Sequence, residues 1–291
     1  QYKCLIYHKM VFRYLVNDKK KKKTVVSPKI QAAINNHYLL LMESLSEKRH
    51  IAPNKNYEGI LTSRVSGFKD PALAVLPVHI QPFVFYDDYL KLIDRQYLNP
   101  VSKAGLTEYR YILEDTLTDV LGDTIYYISF SPKQKSNIMG VKGAVHIHAP
   151  TWAIKSVTAS TLPDDDALGL TIKQFYKQTD GKQWFPEQLE SSLVMRPKQT
   201  SPQNPYPIVA EGKSYVTQIN LAPNLTDRDF GMFALNDKSQ SPDAPAIERY
   251  RYSPLTAKDS LTYLKIDSIG RQKKLDNLLA LQRNLIEGYI P

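Results

Sequence analysis

His146 and His148 stand one residue apart in GAVHIHAPTWAIKSV, residues 143–157. On a strand, positions i and i+2 put both imidazoles on one face, which supplies two ligands for a transition metal. A metal site needs a third ligand and usually a fourth. His8, His37, His50 and His79 recur at no ligand spacing. Val145 and Ile147 alternate with the pair as core residues do. His146 and His148 are therefore weak metal candidates beside a plainer alternative, a strand, an Ala149-Pro150-Thr151 turn and a second strand. No metal or other cofactor is expected.

The remaining chemistry-bearing residues are similarly sparse. Asp164-Asp165-Asp166 has the charge for a hard cation but lacks regular calcium-loop spacing, and suits a solvated hairpin loop. Cys4 is the single cysteine, so an internal disulfide and any multi-cysteine zinc site are excluded. No Gly-x-Ser-x-Gly elbow, His-Glu-x-x-His helix or glycine-rich phosphate loop is present, and the chain is not expected to be an enzyme. The net charge is +9, yet Lys19, Lys20, Lys21, Lys22 and Lys23 supply five of those charges, leaving an ordinary balance elsewhere. This run suits either anionic headgroups or a partner at the membrane, or a solvated hairpin tip that blunts edge pairing. Aromatics alternate with aliphatic rather than basic residues, so no nucleic-acid partner is expected.

The elements that would position these residues are mostly strands. Tyr2 to Val16 alternates with period two, marking a long strand with partial cover on both sides. From about residue 107 strand follows strand. Tyr109, Tyr111 and Leu113 share a face, Gly122-Asp123 makes a turn, and Tyr126, Ile128 and Phe130 share the next. Asp180-Gly181 is a two-residue hairpin signal, and Tyr215, Thr217, Ile219 and Leu221 give a further strand. The spacing of Tyr57, Ile60, Leu61 and Val65 predicts a helical turn. That of Phe85, Tyr89, Leu92, Ile93 and Tyr97 predicts a second helix. Residues 222–260 read as irregular, and Leu275, Leu278, Leu279, Leu285 and Ile286 predict an amphipathic helix over 272–287. The domain expected is a curved antiparallel sheet over 1–221 with inserted helices at about 50–100, followed by a connector over 222–291. No stretch reaches the ~18–20 apolar residues of a membrane-spanning helix.

Several phrases together resemble one family. They are LMESLSEKRHIAPNKNYEGILTSRVSGF, FYDDYLKLIDRQYLNPVSKAGLTEYRYILED, YYISFSPKQKSNIMGVKGAVHIH, WAIKSV, GKQWFPEQL and PLTAKDSLTYLKIDSIG. The resemblance covers nearly the whole chain and is to gram-negative outer-membrane proteins of unknown function. In that family a carboxypeptidase-like regulatory domain precedes a periplasmic region like this one, and a β-barrel follows it. The resemblance implies a fragment of a longer exported protein at the periplasmic face of the outer membrane, with a barrel in the same chain. It implies no peptidase activity and transfers no catalytic residue.

The order of strands, WAIKSV and the hairpin closing on GKQWFP also resembles periplasmic lipoprotein carriers of the LolA/LolB type. This implies an α+β fold, a half-barrel of incompletely closed antiparallel sheet with a few helices on its concave face. A half-closed sheet must bury that face or offer it as an apolar pocket. Tyr109, Tyr111, Tyr126, Phe130 and Trp152 are the candidate lining of a groove for a lipid, an acyl chain or a lipoprotein. The same aromatics could instead make the core. A scaffold domain docking partners beneath a barrel is the other class of function left open.

Overall fold

The computed structural model describes residues 1–15, 35–53, 55–68, 74, 76–93, 95–162, 168–179, 183–196, 206–230 and 246–273. The lysine run 19–23, the Asp164–Asp166 loop, the Asp180-Gly181 turn and the expected helix beyond residue 273 lie outside them. The fold is α+β and dominated by antiparallel sheet, with few helices, and the sheet is not closed. It forms two compact units, one of residues 1–75 and 217–291, the other of 76–216. These units differ from the expected segments 1–221 and 222–291. Among the described residues, no helix is long and apolar enough to cross a membrane, which says nothing of a β-barrel.

In the first unit, β1 (Tyr2–Tyr14), β2 (Leu40–Ile51) and β3 (Lys55–Val65) pair antiparallel in the order β3-β2-β1. Tyr2 opposes His50, and the register runs on to Phe12 opposite Leu40. Leu41 to Ser46 are all buried, so β2 is covered on both faces. The segment expected to be a helical turn at 57–65 is β3. A bulge explains the misleading spacing. Thr62 opposes Leu45 but Ile60 opposes Ser46, so Leu61 is an extra residue that breaks the period of two.

One face of these strands packs under the long helix of the C-terminal segment, Ala257–Lys273. That helix is α3, after the short helices α1 (Leu76–Ile80) and α2 (Gly105–Glu108) of the second unit. Thr256 and Asp259 form a capping box at the start of α3. The Thr256 Oγ1 accepts from the Asp259 amide at 3.2 Å, and Asp259 Oδ2 accepts from the Thr256 amide at 2.8 Å. Asp259, Thr262, Tyr263 and Gly270 lie on the buried stripe, with Tyr263 packed on Val11 and Leu41. Lys9 donates to Asp259 Oδ2 at 2.6 Å and ties β1 to the helix.

Gly67, at φ +78°, takes a conformation open mainly to glycine, and a Cβ on Gly270 would stand 2.2 Å from the Gly67 carbonyl oxygen. The helix therefore touches the turn after β3 backbone to backbone. Gly270→Ala is expected to destabilise this unit by about 2 kcal/mol, because one methyl forces the helix off the turn. Hydrogen exchange of the β3 and α3 amides is the measurement. A change below about 0.5 kcal/mol would contradict so close a contact.

The second unit is a meander. Strands β6 (Tyr109–Thr118), β7 (Thr124–Pro132), β8 (Val141–His148), β9 (Ala153–Thr161), β10 (Leu168–Thr179), β11 (Gln183–Met195) and β12 (Ile208–Asn220) pair each with the next. β12 crosses the boundary between the units. Directly opposed residues of antiparallel strands share a face. One cross-strand row runs Phe130, Gly143, Ala159, Ile172, Ser191, Gly212, and the next runs Ile128, Val145, Val157, Gln174, Leu189, Ser214. Most of these residues are buried. The opposite face carries Ser129, His146, Ser156, Thr158, Lys173, Glu190 and Lys213. Residues 76–108 cover the apolar face. The helix expected near 86–97 is instead a hairpin, β4 (Tyr89–Leu92) with β5 (Arg95–Leu98). Leu90 and Leu92 are buried two residues apart, an alternation too short to stand out against the helical spacing of the aromatics.

Candidate functional site

The apolar face of the second unit and its cover hold most of the residues singled out as groove lining. The cover meets the sheet mainly through side chains, and its strands among the described residues, β4 and β5, form a separate two-stranded sheet. Gln174 Nε2 donates to the Pro82 carbonyl at 2.7 Å, and the Phe85 amide donates to the Tyr176 hydroxyl at 2.8 Å. The Tyr176 hydroxyl in turn donates to Gln174 Oε1 at 2.7 Å. The Ile154 amide donates to the Tyr86 hydroxyl at 3.0 Å. Asn99 organises the cover itself, donating to the Asp87 carbonyl at 2.7 Å and accepting from the Val101 amide at 3.0 Å.

Tyr109 and Phe130 are buried and meet edge to face, with ring centroids 6.2 Å apart. The Tyr109 hydroxyl donates to the Leu98 carbonyl at 2.7 Å and accepts from the Val141 amide at 3.0 Å. Tyr111 is half-buried, its hydroxyl 2.7 Å from the Pro100 carbonyl oxygen. Burial, helped by Tyr109, pushes its phenol up to about 12. Tyr126 is half-buried and its ring centroid lies 5.9 Å from that of Trp152, which is 73% exposed. The five residues thus divide between the covered face, with Tyr109, Tyr111 and Phe130, and the rim at one end of the meander, with Tyr126 and Trp152.

His146 and His148 part company in their surroundings. His146 stacks on Tyr127 at 4.8 Å, and its Nδ1 lies 3.0 Å from Ser156 Oγ. Burial, with Lys155 nearby, lowers its pKa. His148 instead joins Asp119 and Asp123, the one group of potential metal ligands found among the described residues. Its Nε2 lies 3.1 Å from Asp123 Oδ2 and its Nδ1 2.7 Å from Thr151 Oγ1. Lys155 donates to Asp119 Oδ2 at 2.7 Å. Asp119 is thus held by an ammonium and by the turn amides of Leu121 and Asp123, and Asp123 Oδ2 by the His148 ring. The Lys155 hydrogen bond holds the Asp119 carboxyl down to about 2. The group fastens two neighbouring turns together.

Two buried polar clusters in the first unit had no sequence signal. In one, Ser46 Oγ donates to Glu58 Oε1 at 2.8 Å and lies 2.9 Å from His8 Nε2. Lys48 donates to Glu58 Oε2 at 2.9 Å. Serine, histidine and carboxylate are therefore together, but the hydroxyl bridges the other two. A hydrolytic triad needs the imidazole in the middle, accepting the serine proton, and Ser46 is fully buried. Burial pushes the nearby Cys4 thiol up to about 12, so it stays protonated and inert. In the other cluster the Glu43 carboxylate accepts from Tyr7, Tyr263 and both arms of Arg251. Alternation along β1 places Cys4, Ile6 and His8 on one face, but nothing in the sequence marks their partners.

The site and fold define an open antiparallel-sheet α+β protein whose polar clusters tie its own segments together. The chain belongs to a family of unknown function, DUF5686, whose model matches residues 1–198. No curated protein matches it. Among solved structures it is similar to a DUF1329 family protein from Desulfovibrio piger, at 13% identity and a TM-score of 0.32, over 80% of this chain and 91% of that one. It is also similar to a putative outer membrane lipoprotein-sorting protein domain from Vibrio parahaemolyticus. That match has 12% identity, a TM-score of 0.34 and the same coverage, 80% and 91%.

Proposed function

We propose that this chain is a non-enzymatic periplasmic domain of an outer-membrane protein that binds a lipid, an acyl chain or a lipoprotein on the apolar face of its second unit. The observation carrying this reading is the way that face is covered. Seven strands present a largely apolar surface, and the cover, residues 76–108, reaches it mainly through side chains, with a backbone bond from the Leu98 amide to the Met139 carbonyl just before β8, and does not join its ladder. A cover held this way can shift without breaking sheet pairing.

Native mass spectrometry of the domain purified from a gram-negative periplasm, followed by solvent extraction, tests this. The expected result is an acyl-bearing species at about one per chain, reduced roughly tenfold in Tyr111→Ala and Phe130→Ala variants that retain their circular dichroism. A bare protein mass together with no uptake of added oleate would overturn it. A second reading, a scaffold beneath a barrel in the same chain, draws on the exposed edge strand β6, where Ile112, Leu113 and Leu117 face solvent. The bulge at Glu114 interrupts that edge and discourages open-ended pairing.

A further inference from the structure

Two turns sit together at one end of the second unit, the one after β6 (119–123) and the one after β8 (149–152). The Ala149 amide donates to the Thr124 carbonyl at 2.9 Å, and His148 and Lys155 bond Asp123 and Asp119 across the gap. Turn tips ordinarily carry glycine, proline and short polar residues. Here Val120 is 100% exposed and Leu121 82%, beside Trp152 on the neighbouring turn.

These apolar residues do not stand on loose chain. Asp119 Oδ1 accepts from the Leu121 amide at 2.9 Å and the Asp123 amide at 3.0 Å, while the Gly122 amide donates to the Asp119 carbonyl at 3.1 Å. Gly122 sits at φ +86°, where glycine is at home, and Trp152 holds φ +55°, where a tryptophan is not. Thr151 Oγ1 joins His148 Nδ1 and accepts from Trp184 Nε1 at 3.0 Å. Both carboxylates of the first turn are drawn back from its apex and paired with Lys155 and His148.

We propose that these two turns form an interfacial anchor that seats Val120, Leu121 and Trp152 at the headgroup–acyl boundary of a lipid bilayer. An indole beside aliphatic side chains, above a collar of hydrogen-bonded polar groups, matches the chemistry of that boundary, where tryptophan concentrates. The three side chains together offer roughly 400 Å². A specific protein interface takes about 800 Å² from each partner, so the projection is too small for a stable protein partner but sufficient to dip into lipid. With Asp119 bound to Lys155 and Asp123 hydrogen-bonded to His148, the anchor offers no excess of positive charge to anionic lipid. It also lies apart from the covered apolar face and does not depend on a ligand there.

Co-sedimentation of the whole chain with phosphatidylcholine vesicles, with and without phosphatidylglycerol, is the test. The expected result is partition onto both compositions. In a Trp184→Phe background the Trp152 emission shifts to the blue and is quenched by brominated acyl chains. A Val120→Asp, Leu121→Asp variant with unchanged circular dichroism is expected to lose at least about tenfold in partition, while keeping any acyl species that co-purifies. No partition of the wild-type chain would overturn the proposal. So would undiminished partition of the double variant, or partition that needs phosphatidylglycerol and disappears when Lys19 to Lys23 become glutamine.

Discussion

Glu43→Ala is expected to destabilise the first unit by about 3–5 kcal/mol, the cost of removing one partner from a buried ion pair. The Glu43 side chain has no solvent exposure and Arg251 only 13%. Both guanidinium contacts are 2.8 Å, and the Tyr7 and Tyr263 hydroxyls donate at 2.5 and 2.7 Å. Burial alone would raise the carboxyl pKa, but hydrogen bonds from Arg251, Tyr7 and Tyr263 outweigh it and hold the group ionised. Without Glu43, Arg251 keeps Glu248 at 3.7 Å as an ion-pair partner, and both phenols lose their acceptor. The carboxylate joins β1, β2, α3 and the segment before α3, so its loss loosens the C-terminal segment as well as the strands.

Tyr7→Phe and Tyr263→Phe are expected to cost less, about 1–2 kcal/mol each, because the carboxylate stays paired with Arg251. Urea unfolding followed by far-ultraviolet circular dichroism, with hydrogen exchange of β2 and α3, measures all three variants. A Glu43–Arg251 double-mutant cycle gives the coupling directly. A loss below about 1 kcal/mol in Glu43→Ala would show that the cluster does not hold the unit together.

Acid is the second lever. Glu58 is buried, which by itself raises its pKa, but the His8 imidazole 3.5 Å away and the Lys48 ammonium outweigh this and bring it from 4.5 down to about 2. Between these values the unfolded chain takes up a proton that the folded chain refuses. The stabilisation is complete above pH 4.5 and is lost as pH falls through the folded value near 2. A gap of this size corresponds to about 3 kcal/mol. Glu43, Glu47 and Asp259 are all lowered too, so they act in the same direction. The urea midpoint is expected to drop steeply below pH 4.5, and Glu58→Gln to flatten that slope by the share of one group. An unchanged slope in Glu58→Gln would place the acid sensitivity elsewhere.

How much of this was legible depends on the length of the pattern. Long alternations announced β1, β7, β8 and β9, and the turns at Gly122-Asp123 and Ala149-Pro150-Thr151 fall between strands as expected. β3 was hidden because the bulge at Leu61 converts a period of two into apparent helical spacing. The β4–β5 hairpin was hidden because four-residue strands cannot show a period against i, i+4 aromatics. α3 was missed because its buried stripe is Asp259, Thr262 and Tyr263, polar residues that no apolar periodicity detects. Its capping box, Thr256 to Asp259, was the signal available.

By itself the sequence determined the sheet-dominated class, the strand alternation, the absence of familiar hydrolase and phosphate motifs, and the likeness to a family. All of these rest on neighbours a few residues apart, where backbone geometry imposes a fixed period. The polar clusters were decided only by tertiary structure. Glu43 finds Tyr263 220 positions away, and Lys9 finds Asp259 250 positions away. Those pairings follow from strand register and from where the C-terminal segment packs, and a local pattern holds no record of either. The same holds for the tip at Val120, Leu121 and Trp152: the residues are plain in the sequence, but only the folded meander brings the two turns to one end.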